Sequence, residues 1–281
     1  MGIPDNFTIR SAFRQYKDVV FGVTTDLHFW NSGLEKVVSQ YNERPSQMLF
    51  EAIFAVYNME SEGPNGSLED FKKTISVSGE DADKKRQLFM AWVTNLTVLK
   101  LYTSSETFLL QAIWLRFYPH LKNPTFNKKA ADALHREIMS HLFSCGLSKD
   151  STNNRYLMVY LKDRSAEISS FLDQPMRVDL ITNWGNFFEL FSILRNTIAH
   201  QGTIVSLDSK NDIQGKAKDV FLRHFSLVSD HSKSLHLFPV VEQFGNFVGF
   251  VNDFSLNVVK FLFGEQDLRF LDIEAEHEDI S

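Results

Sequence analysis

Between Ala82 and Phe117 the chain runs without a glycine or a proline, and Pro119 follows just beyond. Leu, Phe, Trp, Ala and Lys dominate the run, and neither residue that breaks helices outright is present, so it predicts one long helix. Its weakest point is Thr103-Ser104-Ser105, where a serine can restart a turn ahead of Glu106. Glu106 then reads as a capping carboxylate, or as a partner for Arg195 if their helices adjoin.

Breakers divide the remainder into similar segments. A second helix is expected over 127–144, stopped by Gly146, and a third over 154–171, ahead of Pro175. A fourth, 182–201, stops at Gly202, and a last one, 240–263, begins after Pro239 and ends at Gly264. Residues 203–234 read as a mixed connector with a short hairpin around 225–228 and 234–237. Before residue 82 the pattern is patchier: 46–59 (SQMLFEAIFAVYNM) carries helical spacing with Ser46 as N-cap, and Glu62-Gly63-Pro64-Asn65-Gly66-Ser67 forms a loop. No repeat or low-complexity linker divides the chain. The expected fold is all-α, an antiparallel helical bundle over 82–264 with a helical N-terminal extension over 1–81 and an acidic tail over 265–281.

Phenylalanine is unusually frequent, 26 of 281 residues, and recurs at helical spacing, which makes it core filler rather than a base-stacking surface. Cys145 is the lone cysteine, so an internal disulfide and a thiolate-rich metal site are both excluded and a cytoplasmic setting is expected. No apolar run reaches the roughly 20 residues needed to span a bilayer, and the first residues lack the basic start and apolar stretch of a secretion signal. Gly2 stands in a poor acylation context, beside Pro4 and Asp5. The net charge of −6 is carried by the tail, where seven acidic residues oppose only Arg269. The body before it holds 28 basic and 28 acidic residues and is neutral overall. Such a body can carry a local basic site without being a broad backbone binder.

The strongest chemical constellation is Arg195-Asn196-Thr197-Ile198-Ala199-His200, at the end of the fourth helix. At about 100° per residue, Phe187, Phe191, Leu194 and Ile198 fall on one line, the stripe that enters the core. Asn196 and His200 lie together on the opposite side, with Glu189 and Ile193. Arg195 points about 140° away from His200. One straight helix does not aim both at the same small ligand, whereas a second copy related by a two-fold axis would supply the missing group.

These six residues resemble the R-x-x-x-x-H motif of the HEPN superfamily, and the order of helices over 82–263 is similar to that family's bundle. The resemblance implies a metal-independent RNA endonuclease acting as a homodimer, without cofactor or metal. In it His200 would be general acid or base, Arg195 would bind the scissile phosphate, and Asn196 would orient the pair, giving 2′,3′-cyclic phosphate and 5′-hydroxyl ends. It further implies a toxin or anti-phage setting, with a cognate antitoxin or sensor protein as partner. The alternative is a non-catalytic module of the same fold that binds RNA, a nucleotide or a partner protein.

Other candidates are weaker. His135 and His141 are six residues apart and so lie on different helix faces, and His231 and His236 fall in an expected loop without an acidic partner at ligand spacing. Arg223-His224 reads as a surface turn, with a basic contact for RNA as the alternative. There is no phosphate-binding glycine loop, no Rossmann pattern, no G-x-S-x-G and no zinc-protease motif.

Overall fold

The computed structural model describes residues 7–44, 46, 48–62, 68–118, 126–147, 155–229 and 235–264. Among them the order is α1 (Ile9–Asn42), β1 (Met48–Glu62), β2 (Leu68–Ser78), a 3-10 turn (Gly79–Asp81), α2 (Ala82–Phe117), α3 (Lys128–Ser144), α4 (Tyr156–Arg164) and α5 (Ala166–Asp173). There follow α6 (Trp184–Gln201), β3 (Ile204–Val205), α7 (Leu207–Lys216), α8 (Lys218–His224), β4 (Phe225–Ser229), β5 (Leu235–Pro239), a 3-10 turn (Val241–Gln243) and α9 (Phe244–Phe263). The protein is mostly helical, as expected, and no helix among the described residues is long and apolar enough to cross a membrane.

The chain divides into two compact units, one made of residues up to Thr25 with those from Thr94 onward, the other of Asp26–Val93. The expected boundary at residue 81 therefore does not describe it, because α1 and α2 each contribute to both units.

In the smaller unit, β1 and β2 form an antiparallel hairpin, with Phe50 opposite Val77, Ala52 opposite Ile75 and Val56 opposite Phe71. The helix expected over 46–59 is thus a strand. Its apolar residues form a nearly continuous run that fits a strand as well as a helix, and pairing with 74–77, where Thr74, Ile75 and Val77 are β-branched, settles the choice. Residues 63–67, expected as a loop, lie outside the described residues. In the same unit Arg86 ties α2 to α1, donating to Asn31 Oδ1 (3.2 Å) and pairing with Glu35 (3.5 Å).

The larger unit is held by aromatic rings. Phe187, Phe188 and Phe191 of α6 meet Phe247, Phe250 and Phe254 of α9, with Phe188 stacked on Phe254 at 4.7 Å and Phe191 edge-on to Phe247 at 5.5 Å. Tyr102 of α2 closes the lattice against Phe191 (5.1 Å), and Tyr16 of α1 stacks on Phe108 (4.9 Å). The phenylalanines of this ring network are core, and such pairs add to the area they bury, whereas Phe21, Phe29, Phe89, Phe143 and Phe261 are exposed.

Helix α2 is unbroken through 103–105. Ser105 is buried and hydrogen-bonds Ser255 of α9 at 2.6 Å, so its hydroxyl is engaged in packing rather than in restarting a turn. The helix expected over 154–171 is instead two. Ser165 adopts extended backbone and its Oγ accepts from Ile168 N (3.2 Å), which caps α5 and ends α4. The connector after α6 is more helical than expected, since it contains α7 and α8, while the hairpin is present as β4 and β5 with β3 added on the far side of β5. His224 is not in a surface turn: it ends α8, is fully buried, and is held at Nδ1 by Gln243 O (3.0 Å). Arg223 beside it pairs with Asp179 at 3.0 Å.

Asp219 of α8 fastens the segment that leads into α6. Its carboxylate accepts from Ile181 N (2.6 Å), Thr182 N (3.1 Å) and the Thr182 hydroxyl. Burial alone would raise its pKa, but these donors outweigh it and hold the carboxyl below its usual value. A lowered folded pKa stabilises the fold above the ordinary carboxylate pKa of about 4, and the contribution disappears as pH falls through the folded value. Asp219→Asn should therefore destabilise the protein at neutral pH, with the gap to wild type closing in acid, as read from denaturant midpoints across pH. Phe254→Ala, which opens the ring lattice, should cost about 3–5 kcal/mol in the same assay.

Candidate functional site at the end of helix α6

Helix α6 begins at Asn183, whose side chain accepts from Asn186 N (2.8 Å), and ends at Gly202, with φ +66°, a backbone conformation that favours glycine. Gly185 lets the first turn approach α5: a Cβ there would stand 3.3 Å from Leu172 O. The core stripe is as expected, with Phe187, Phe191, Leu194 and Ile198 all buried.

The opposite face is largely covered. Ile193 is only 6 % exposed, and the Glu189 side chain only 12 %, covered by a contact with Lys216 and by Arg155 Nε at 3.7 Å. Phe188, Leu190, Ser192 and Thr197 are buried too. The helix is enclosed almost all round until its final turn, where Ala199 and His200 are exposed. An interface on this helix is thus limited to its C-terminal end.

Arg195 and His200 face different surroundings. Arg195 is half-buried, donates from Nη1 to Asn196 Oδ1 (2.6 Å), and lies with its guanidinium carbon 5.8 Å from the Tyr102 ring centroid. It turns towards α2, where Glu106 is half-buried and feels its charge. Glu106 is no helix cap, because α2 continues through it. Its Oε1 accepts from the Tyr156 hydroxyl at 3.1 Å. Tyr102 donates to Ser192 Oγ at 3.3 Å, and the exposed ring of His135 stands edge-on to Tyr156 at 5.1 Å. His200 projects from the last turn, and among the described residues nothing bonds its ring.

Burial pushes the Glu106 carboxyl above its usual range, against the hydrogen bond from Tyr156 and the electrostatic influence of Arg195 and His135. Tyr102 and Tyr156 are raised as well, first by burial and then by the neighbouring carboxylate. The site is therefore a carboxyl, a guanidinium and two phenols clustered in poorly solvated surroundings beside α6, with an open imidazole at the helix end. The conditional pairing of Glu106 with Arg195 is realised as proximity. Tyr102 and Tyr156 were missed from sequence, and His135 was weighed there only as a metal ligand, although Tyr102 and Glu106 stand four apart on one helix face, a spacing that points to shared chemistry.

The histidines considered for a metal are scattered. His135 and His141 stand edge-on to different tyrosines, Tyr156 and Tyr160. His236 lies on β5, not in a loop, with Nδ1 3.2 Å from Thr203 Oγ1, and His231 lies outside the described residues, as does the acidic tail. Comparison with known proteins returned no matching family model, no matching curated protein and no matching solved structure.

The raised Glu106 pKa sets a sign. Between the ordinary value of about 4 and the folded value, the native state keeps a proton that the unfolded chain has lost, so stability falls as pH rises through that window. Glu106→Gln should match wild type in acid and exceed it at neutral pH by denaturation. Arg195→Ala should move the Glu106 pKa higher still, followed by NMR of the side-chain carboxyl carbon.

Proposed function

We propose that this protein is a metal-independent RNA endonuclease of the HEPN kind. The observation that carries the reading is the pairing, on the last two turns of α6, of a guanidinium held by its neighbour Asn196 with an imidazole that the fold leaves exposed. Imidazole titrates near neutrality and can take the ribose 2′-hydroxyl proton or return one to the leaving 5′ oxygen. A guanidinium remains charged and binds phosphate oxygens in fork geometry, favouring the extra charge of the transition state. Asn196 orients Arg195, and products are a 2′,3′-cyclic phosphate and a 5′-hydroxyl.

Because Arg195 and His200 diverge around one helix, the working site is composite, with two copies meeting at the exposed helix ends. The covering of Glu189 and Ile193 by the chain itself restricts that meeting to the final turn. Cleavage of cellular RNA suits a toxin or anti-phage role, in which a cognate antitoxin or sensor protein controls the enzyme.

A second reading draws on a specific observation. Arg195 is already engaged by Asn196 and by the charge of Glu106, and a guanidinium so satisfied can be structural. The fold would then be a silent module that binds RNA, a nucleotide or a partner. Incubation with a mixed RNA substrate separates the two. Wild type should produce cyclic-phosphate ends, and His200→Ala should reduce cleavage roughly a hundredfold or more. Equal cleavage by both would remove His200 from the chemistry, and a strict monomer at micromolar concentration would remove the composite site.

A further inference from the structure

The end of α3 carries a second cluster of chemically active groups, independent of α6 and of the nuclease reading. His141 and Cys145 are four residues apart on one face of the helix. Asp163 reaches them from α4, which packs against α3. His141 Nε2 lies 2.6 Å from Asp163 Oδ2 and 3.9 Å from Cys145 Sγ, and the three donor atoms lie within 4.8 Å of one another. The expectation that a lone cysteine precludes a thiolate-rich site still holds, but a mixed nitrogen, sulfur and oxygen set needs only one.

The arrangement argues against a nucleophile relay. A thiol activated through histidine needs the thiol on one ring nitrogen and the carboxylate on the other, whereas here both approach Nε2. Three donors converging on one point suit a cation. Zinc, with bonds of about 2.0–2.3 Å in tetrahedral geometry, holds such donors roughly 3.3–3.6 Å apart, between the two distances observed. The donor types also discriminate, since thiolate and imidazole select zinc over magnesium or calcium.

The surroundings hold the donors ready. Cys145 N donates to His141 O and Leu142 O (both 3.1 Å), Gly146 takes φ +80°, and Leu147 N closes on Leu142 O (3.1 Å), which sets the helix end. The His141 ring stands edge-on to the buried Tyr160 at 5.4 Å. Of the cations beside Asp163, Lys162 pairs with Asp173 (2.6 Å), and Arg164, which feels the Asp163 charge, donates to the Tyr160 hydroxyl (3.2 Å) and lies over Phe117. Cys145 and Asp163 are exposed, so a metal can enter from solvent.

We propose that His141, Cys145 and Asp163 form a zinc site with water in the fourth position, joining the end of α3 to α4. On binding, the thiol proton passes to solvent, neutral His141 carries its proton on Nδ1, and Nε2, Sγ and Oδ2 each give a lone pair to the metal. Titrating the full-length protein with Co²⁺ tests this. A near-ultraviolet thiolate-to-cobalt absorption should appear, be displaced by Zn²⁺, and vanish in Cys145→Ser. Asp163→Asn should weaken binding by at least about tenfold. Zn²⁺ should also raise the melting temperature of wild type but not of Cys145→Ser. Absence of the thiolate band, a band indifferent to both Asp163→Asn and His141→Asn, or an equal thermal shift in Cys145→Ser would overturn the site. Circular dichroism of each variant confirms that it is folded.

Discussion

The packing of α6 into the rings of α9 and α2 decides what the rest of the larger unit can do. Phe187, Phe188 and Phe191 are all but inaccessible, and the lattice they form with Phe247, Phe250 and Phe254 leaves this helix little freedom to shift or rotate. Polar groups on such a helix must be satisfied where they stand. Glu189 is met by Lys216, Ser192 by Tyr102, and Arg195 by Asn196. His200 escapes because it stands at the last turn.

The network around Glu106 belongs to the same constraint. A carboxyl withdrawn from water and brought near a guanidinium is stabilised only in part, and its raised pKa shows that burial outweighs the attraction. A phosphate drawn to Arg195 would have to compete with Glu106, so the protonation state of that carboxyl bears on how freely Arg195 receives an anion. Tyr156 and Tyr102 flank Glu106, the first through a hydrogen bond of 3.1 Å.

Much of the helical architecture was legible because Pro and Gly punctuate it. Gly146, Gly202 and Gly264 all take positive φ at helix ends, and the core stripe of α6 followed from its spacing alone. What escaped depended on partners distant in sequence. The strand at 48–62 is fixed by pairing with 68–78, and the break at Ser165 by a cap that competes with good helix formers on both sides. At the candidate site Arg195, Asn196 and His200 were visible as a motif. Tyr156 and His135 come from separate helices, and no spacing within one segment could have joined them to Glu106. The burial of Ile193 and Glu189 follows from chain beyond the motif helix, including Lys216 of α7, which sequence read only as connector.

Immediately after Gly202 the chain enters β3, a strand of two residues, Ile204 and Val205, laid against β5, where Leu237 N donates to Thr203 O at 2.7 Å. The turn that presents His200 is thus pinned on one side by a dense aromatic core and on the other by a very short ladder. Undoing the core is a global event, whereas releasing so short a strand is a local one. The imidazole therefore stands between a packed aromatic core and a two-residue ladder, on the last turn of the same helix that carries Arg195.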